Sequence, residues 1–375
     1  MNYLKDLNEA SENNKLYGGN ACLKLGIAYN NKNYLIKFPK ETDGFRTKVD
    51  IPFTTDYLNE YIGSNIYSIL GFKSQNTFLG FMKNKILNMD QVVVACEDFT
   101  DKNIILYDFE HIKNKYSENL QKANISESKN QTPSEKESVH IFPIEEIINQ
   151  FKNNDILKSN NDFQDKFWDM FVIDCLIANS DRNNNNWGLL YNENDKTYTF
   201  APVFDNAACF VSKHSDNKLE RIYNDPSLFE NASLNVICYF TAHGEYGDYR
   251  KLINNLHKYN LDEQYNKAIK RMVPMIHNKL NEIKKFIIDV PESDSGIEIL
   301  SKTKKKYFIK SMEIRLNKLL DKELLLIENI RNPLDLKSLK KEADEYNKNR
   351  VASLDKKTQN KKINRKPGSD DPGDR

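Results

Sequence analysis

The chain has 375 residues, 55 Lys plus Arg against 54 Asp plus Glu, and a formal net charge of +1. With 39% hydrophobic residues, 20 Phe and 19 Tyr, it carries enough apolar surface for a packed core, which excludes global disorder. A near-zero net charge argues against nucleic-acid binding by the chain as a whole, and no run approaches the roughly 18 apolar residues of a membrane span.

The N-terminus, from Met1 to Ala10, is polar and has no signal-peptide apolar run, so a cytoplasmic protein is the default expectation, with export or host-cell action left open. The five Cys, at 22, 96, 175, 209 and 238, form no CxxC pair and do not cluster with His. That pattern suits reduced, buried thiols rather than zinc ligands. None of the six His, at 111, 140, 214, 243, 257 and 277, has a metal-like spacing.

In chain order, Leu23, Leu25, Ile27 and Tyr29 alternate, Asn30 to Asn33 turns, and Tyr34 to Phe38 follows. This is a β-hairpin with Lys37 on its second strand. The strand period puts Lys37 and Leu35 on one face and Tyr34, Ile36 and Phe38 on the other. From Thr55 to Leu70 the apolar residues Leu58, Ile62, Ile66 and Ile69 recur at helical spacing, and Gly71 is placed to end the helix. Thr77–Met82 and Gln91–Cys96 read as further strands.

The polar stretch Tyr116–Val139 is expected to be a mobile insertion or linker. Ile141 to Ser180 looks largely helical, with Phe163, Phe167, Phe171 and Asp174 on one face. Leu189–Tyr191 and Tyr198–Phe204 flank a turn at Asn192–Lys196, a second hairpin ending at Asp205. Helical patterns dominate from Asp262 to Glu345, and the last thirty residues are charged, then rich in Pro, Gly and Asp, so a disordered tail is expected. A β-rich part thus precedes a helical part. The expected division is a nucleotide-binding N-lobe over 1–100, an interlobe linker over 101–140, a helical C-lobe over 141–345 and a tail over 346–375.

The chemistry concentrates in Asn179-Ser-Asp181-Arg-Asn183-Asn-Asn-Asn186-Trp-Gly, followed by Phe204-Asp205. An Asp, an Asn five residues on and a second Asp after a short hairpin is the order in which kinases set a catalytic base and metal ligands. On their own, Asp and Asn in a turn are ordinary Asx chemistry. The set carries the signal: an amphipathic helix before the loop, Trp187-Gly188 after it, and a strand leading to Asp205.

With Tyr17-Gly18-Gly19-Asn20-Ala21-Cys22-Leu23-Lys24, Lys37, Asn59-Glu60-Tyr61 and Val92 to Phe99, these motifs resemble the HipA-like serine/threonine kinases, and among them the small CtkA-type members. The resemblance runs in family order from about Tyr17 to Phe229. It implies an α+β, two-lobed, protein-kinase-like fold akin to HipA and phosphoinositide kinases, with a β-rich N-lobe and a helical C-lobe. It also implies ATP and Mg²⁺, and a protein substrate with a Ser or Thr acceptor, the chain itself included. Gly18, Gly19, Asn20 and Lys24 would cradle phosphates, Lys37 would contact them and Glu60 would hold Lys37. Backbone groups of Glu97, Asp98 and Phe99 would bind adenine. Asp181 would be the catalytic base, Asn183 would support the ATP side of the loop, and Asn186 and Asp205 would hold the metal. Arg182 is expected to anchor the loop; Trp168, Trp187 and Phe204 are expected in the core.

Three features depart from the family pattern. Asn183 stands where the family has His and cannot carry charge. Tyr17 stands where many members have an inactivating Ser. The glycine loop begins within twenty residues of Met1, so the extra N-terminal subdomain of long HipA proteins is expected to be missing. Two other readings remain: a phosphoinositide or small-molecule kinase, and an ATP-binding pseudokinase scaffold. The tail's Lys356, Lys357, Lys361, Lys362, Arg365 and Lys366 have no aromatic neighbours, which leaves no stacking platform for single strands. Ser126, Ser128, Thr132, Ser134 and Ser138 are expected autophosphorylation targets.

Overall fold

The computed structural model describes residues 3–13, 15, 23–43, 45, 49–124, 142–244 and 247–329. The glycine loop, the 126–138 stretch and the basic tail lie outside these residues.

The N-lobe is a six-stranded sheet with one helix. Strands β1 (Lys5–Asp6), β2 (Ser11–Glu12), β3 (Lys24–Tyr29) and β4 (Lys32–Lys37) precede helix α1 (Asp56–Ile69), and β5 (Thr77–Asn84) and β6 (Met89–Glu97) follow it. The spatial order is β1-β5-β6-β4-β3-β2, antiparallel except for β1 against β5. The β3–β4 turn is two residues, Asn30 and Asn31, both at positive φ, as a tight hairpin requires and Asn tolerates.

The two faces of the sheet separate by strand period. Ile27, Tyr34, Ile36, Phe38, Val93 and Ala95 pack on the outer face. Leu79, Val92, Val94 and Cys96 turn the other way, onto α1 and the main core. The helix ends as its sequence indicates: Gly71, at φ +83°, donates to Ser68 O, and Phe72 donates to Tyr67 O. That pair of bonds is the Schellman arrangement, in which glycine takes the left-handed position without a Cβ clash.

The stretch 101–124 corrects the linker expectation. It forms β7 (Ile104–Asp108) and α2 (Phe109–Asn124), so residues 116–124 continue a helix. Strand β7 pairs with β9 (Gly188–Asn192), which pairs with β10 (Thr197–Phe200). The second hairpin therefore has three strands and ends at Phe200, before Phe204. Gly188 is required here, because a Cβ on it would meet the Tyr107 carbonyl oxygen at 2.2 Å.

The helical run after 141 opens with a two-residue strand, β8 (Phe142–Pro143), and divides into α3 (Ile144–Asn153), α4 (Asp155–Lys158) and α5 (Asp162–Ile177). Asn154 caps the second of these by accepting from Ile156 N. Helix α5 is the C-lobe's central element, with Phe163, Phe167, Phe171 and Asp174 all buried. Helices α6 (Asp216–Tyr223) and α7 (Pro226–Leu234), strand β11 (Phe240–Thr241) and helix α8 (Tyr249–Lys258) then precede the long α9 (Glu263–Asp289), which packs on α5. A small hairpin, β12 (Ser293–Asp294) and β13 (Ile297–Glu298), leads to α10 (Lys302–Arg315), a π-helical turn at 316–320 and α11 (Asp321–Asn329). Trp168 and Trp187 are core residues, with Trp187 stacked on Phe109 at 4.4 Å between centroids. Phe204 is not: it is half-buried and tilted against Phe99, at 5.8 Å. Among the described residues, no helix is long and apolar enough to cross a membrane. Cys96, Cys175, Cys209 and Cys238 are all buried.

Candidate active site

Helix α5 stops at Ala178, which takes a left-handed conformation (φ +59°) and turns the chain into the Asp181 loop. The segment after Asp205 runs alongside it. Ser180 N donates to Ala208 O, and Phe210 N donates to Ile177 O. The two acidic segments are thereby held side by side.

Arg182 ties them from below. Its guanidinium is buried and pairs with Asp174 through Nε–Oδ2 at 2.8 Å and Nη2–Oδ1 at 3.1 Å. Nη1 donates to both Asn186 O and Phe204 O, at 2.6 Å each, and Nη2 also donates to Asn206 Oδ1 at 2.6 Å. Burial opposes its charge, but Asp174 outweighs that and raises its pKa. Arg182 is an anchor, as the sequence reading expected.

Lys37 enters from β4. Its Nζ donates to Glu60 Oε2 at 2.6 Å and to Asp205 Oδ1 at 2.8 Å. Lys37 and Glu60 are buried, whereas the Asp205 side chain is 38% exposed at the cleft. Burial works against the ammonium, but the carboxylates of Asp205 and Glu60 hold its pKa well above the usual range. On Asp205, burial raises the pKa, and Lys37 overcomes it to give a net lowering. Lys24 stands directly opposite Lys37 on β3. Like charges in that register repel unless anions face them, so the sheet presents a cationic floor to the cleft.

Asp181 is exposed to the cleft; partial desolvation by its surroundings and then nearby Asp205 push its pKa up, while a hydrogen bond from Asn183 Nδ2 to its Oδ1 at 2.9 Å works the other way. A raised carboxylate facing a cleft is a better proton acceptor than an ordinary one. Asn183 also accepts from Asn185 N at 2.9 Å, so it supports the loop internally. Asn186 donates Nδ2 to Asp181 O at 2.7 Å, which commits the amide nitrogen and leaves Oδ1 uncommitted among the described residues.

Lys24, Lys37, Asp181 and Asp205 line one cleft of about 490 Å³. Among the described residues, no group of three or more His, Cys, Asp or Glu is positioned to hold a metal. The amide oxygen of Asn186 and the carboxylate of Asp205 are nonetheless hard donors of the type Mg²⁺ takes, since that ion draws its other ligands from phosphate and water. The residues present fit the group.

Of the sequence-derived site residues, Lys24, Lys37, Glu60, Asp181, Asn183, Asn186 and Asp205 come together. Gly18, Gly19 and Asn20 lie outside the described residues. At the segment expected to be the hinge, Glu97 N donates to Asn76 O, Asp98 N donates to Asn33 O, and Glu97 O accepts from Gln75 Nε2. Their carboxylates pair with Lys32 at 2.8 Å and Lys15 at 2.5 Å. Phe99 reaches the site through its ring contact with Phe204.

Sequence reasoning missed a polar stripe beneath the site. Ser64 donates to Glu60 Oε1 at 3.4 Å, Asn206 N donates to the same oxygen at 2.9 Å, and Tyr67 OH donates to Asp174 Oδ1 at 2.7 Å. Glu60, Ser64 and Tyr67 fall at i, i+4 and i+7 of α1, a one-face spacing that was available to find them.

This arrangement, a Lys held by a helix Glu and a metal-type Asp beside a D-x₄-N loop, is what phosphoryl transfer requires. No protein-family model matches the chain. A curated serine/threonine-protein kinase, CtkA of Helicobacter pylori strain J99, is 31% identical over 319 residues, 82% of this chain and 83% of that protein. The chain belongs to the CtkA-type serine/threonine-protein kinases. A crystal structure of the H. pylori proinflammatory kinase CtkA superposes with a TM-score of 0.70 at 25% identity, covering 88% of this chain and 99% of that one. HipA from Shewanella oneidensis, in a complex with HipB and operator DNA, gives a TM-score of 0.48 at 12% identity, over 84% of this chain and 67% of that one. Membership of this kinase group accounts for the two-lobed α+β fold and the Lys- and Asp-lined cleft together.

Proposed function

We propose that the chain binds Mg-ATP in this cleft and transfers the γ-phosphoryl to a Ser or Thr hydroxyl of a protein. The observation that carries the reading is Lys37 held between Glu60 and Asp205 in the cleft that Asp181 also lines. Lys37 and Lys24 would neutralise phosphate oxygens. Asp181 would orient the acceptor hydroxyl and take its proton, a role its raised pKa suits. Asn186 and Asp205 would hold Mg²⁺, which when bound supplies charge neutralisation on the phosphates. With the Glu97 and Asp98 amides engaged internally, adenine recognition would fall to backbone groups at Phe99.

The hydrogen bonds from Asn183 to Asp181 and to Asn183 from Asn185 favour an active loop over a pseudokinase. The experiment is label transfer from γ-labelled Mg-ATP to a protein substrate and, in parallel, to phosphoinositide vesicles. Label on protein Ser or Thr supports the reading, and label on lipid alone overturns it. The same chemistry would act on the chain's own hydroxyls. Intact-mass analysis and peptide mapping after incubation with Mg-ATP test this, and no added phosphate would refute it.

A further inference from the structure

We propose that the mouth of the cleft selects acidic acceptor peptides through Lys40 and Lys213, an inference that rests on the protein-kinase reading above. Both lysines line the same cleft as Asp181. Lys40 follows β4 in the N-lobe; Lys213 lies eight residues past Asp205 in the C-lobe. Their ammonium groups converge on one ring, each 5.0 Å from the centroid of Phe45.

The convergence is built into the backbone. Thr54 N donates to Lys40 O at 2.8 Å, and the next residue, Thr55, donates from N to Ser212 O at 3.0 Å. Two consecutive amides thus hold both lysine-bearing segments. Asp50 reinforces the arrangement by accepting from Ser215 N at 3.2 Å.

Neither lysine has a carboxylate partner among the described residues. The cleft's own carboxylates are engaged elsewhere: Asp56 with Thr54 Oγ1 at 2.9 Å, Asp205 with Lys37, and Asp181 with Asn183. Two ammonium groups drawn to one ring, from opposite lobes, make the mouth locally positive, and an anion binding beside them relieves that charge. The nucleotide has its own cations, since Lys24 and Lys37 stand opposite each other on the sheet. The anion that suits the mouth is therefore a carboxylate on the acceptor, close in sequence to its Ser or Thr. Phe45 adds an apolar surface for the stem of that side chain.

The test compares three Ser peptides of one length, with Asp/Glu, Ala or Lys/Arg flanks. Each is assayed for kcat/KM with the native chain, with Lys40→Ala/Lys213→Ala and with Lys40→Glu/Lys213→Glu, alongside the KM for ATP and thermal unfolding of each protein. The native chain is expected to favour the acidic over the neutral peptide by about tenfold, the yield of two partly exposed ion pairs. The alanine pair should bring that ratio close to one at unchanged ATP KM, and the glutamate pair should turn the preference toward the basic peptide. Equal use of all three peptides by the native chain overturns this inference and leaves the kinase reading standing. A raised ATP KM with the peptide ratio intact also overturns it, because the lysines would then serve the nucleotide. Transfer to none of the peptides overturns the inference together with the protein-kinase reading.

Discussion

Arg182 and Asp174 form an ion pair in which both side chains are 1% exposed, beneath the loop that carries Asp181. The pair is worth more than its own Coulomb energy. The guanidinium nitrogen that does not face Asp174 bonds the carbonyls of Asn186 and Phe204, so one side chain fixes the spacing between the two segments that bear the proposed metal ligands.

Arg182→Met is expected to destabilise the fold by about 3–5 kcal/mol, because it leaves the Asp174 carboxylate buried without its cation. Adding Asp174→Leu should recover much of that loss in a urea melt. Turnover should stay low in the double variant, since nothing then bridges Asn186 and Phe204. Recovery of both stability and kcat would show that the pair serves stability alone.

The acid limb of kcat should lie above the usual Asp range, because partial desolvation in the cleft and the neighbouring Asp205 raise the pKa of Asp181 and only the ionised form accepts a proton. Asn183 donates to that carboxylate and favours its charge. Asn183→Ala should therefore move the limb to higher pH. A pH–rate profile checks this, and an unmoved or lowered limb would contradict it.

Stability should respond to pH through the Lys37–Asp205 pair. Asp205 is held below its ordinary pKa, so its contribution is present above about pH 3.9 and is lost as pH falls through the lowered folded value. Lys37 is held above its ordinary pKa, so its contribution is full below about pH 10.4 and is lost as pH rises through the raised folded value. Lys37→Met removes the pair. The stability gap between the native chain and this variant should be widest near neutral pH and should narrow in acid, as urea titrations at several pH values would record.

Gly63 sits where α1 meets the segment after Asp205. A Cβ there would stand 2.8 Å from the Asn206 Cβ and 3.1 Å from Cys209 Sγ. Gly63→Ala should push that segment away and lower kcat more than its modest effect on Tm would account for. An unchanged kcat would mean that the segment tolerates the shift.

The parts of the site legible in the sequence are those whose spacing the chemistry dictates. In the proposed reaction Asp181, Asn186 and Asp205 would approach one phosphoryl group, and the period-two strand puts Lys37 on the opposite face from Ile36. Other parts were hidden for physical reasons. Helix α2 carries a polar sequence whose buried residues, among its described side chains, are Phe109 and Ile112, so it read as linker. Strand β7 is half-buried along its whole length and shows no alternation. Asn206 was lost among many Asn residues, although its amide and side chain join Glu60 and Arg182. The engaged amides of Glu97 and Asp98 depend on Asn76 and Asn33, remote carbonyls that no local pattern reveals.

The most direct measurement is phosphate transfer from γ-labelled ATP in Mg²⁺ to a Ser/Thr protein substrate, by the native chain, Asp181→Ala and Asp205→Ala, each shown to be folded. The account predicts label with the native chain and a loss of at least about 10²-fold in each variant. Equal labelling by all three, or none by a folded native chain that binds ATP, would contradict it.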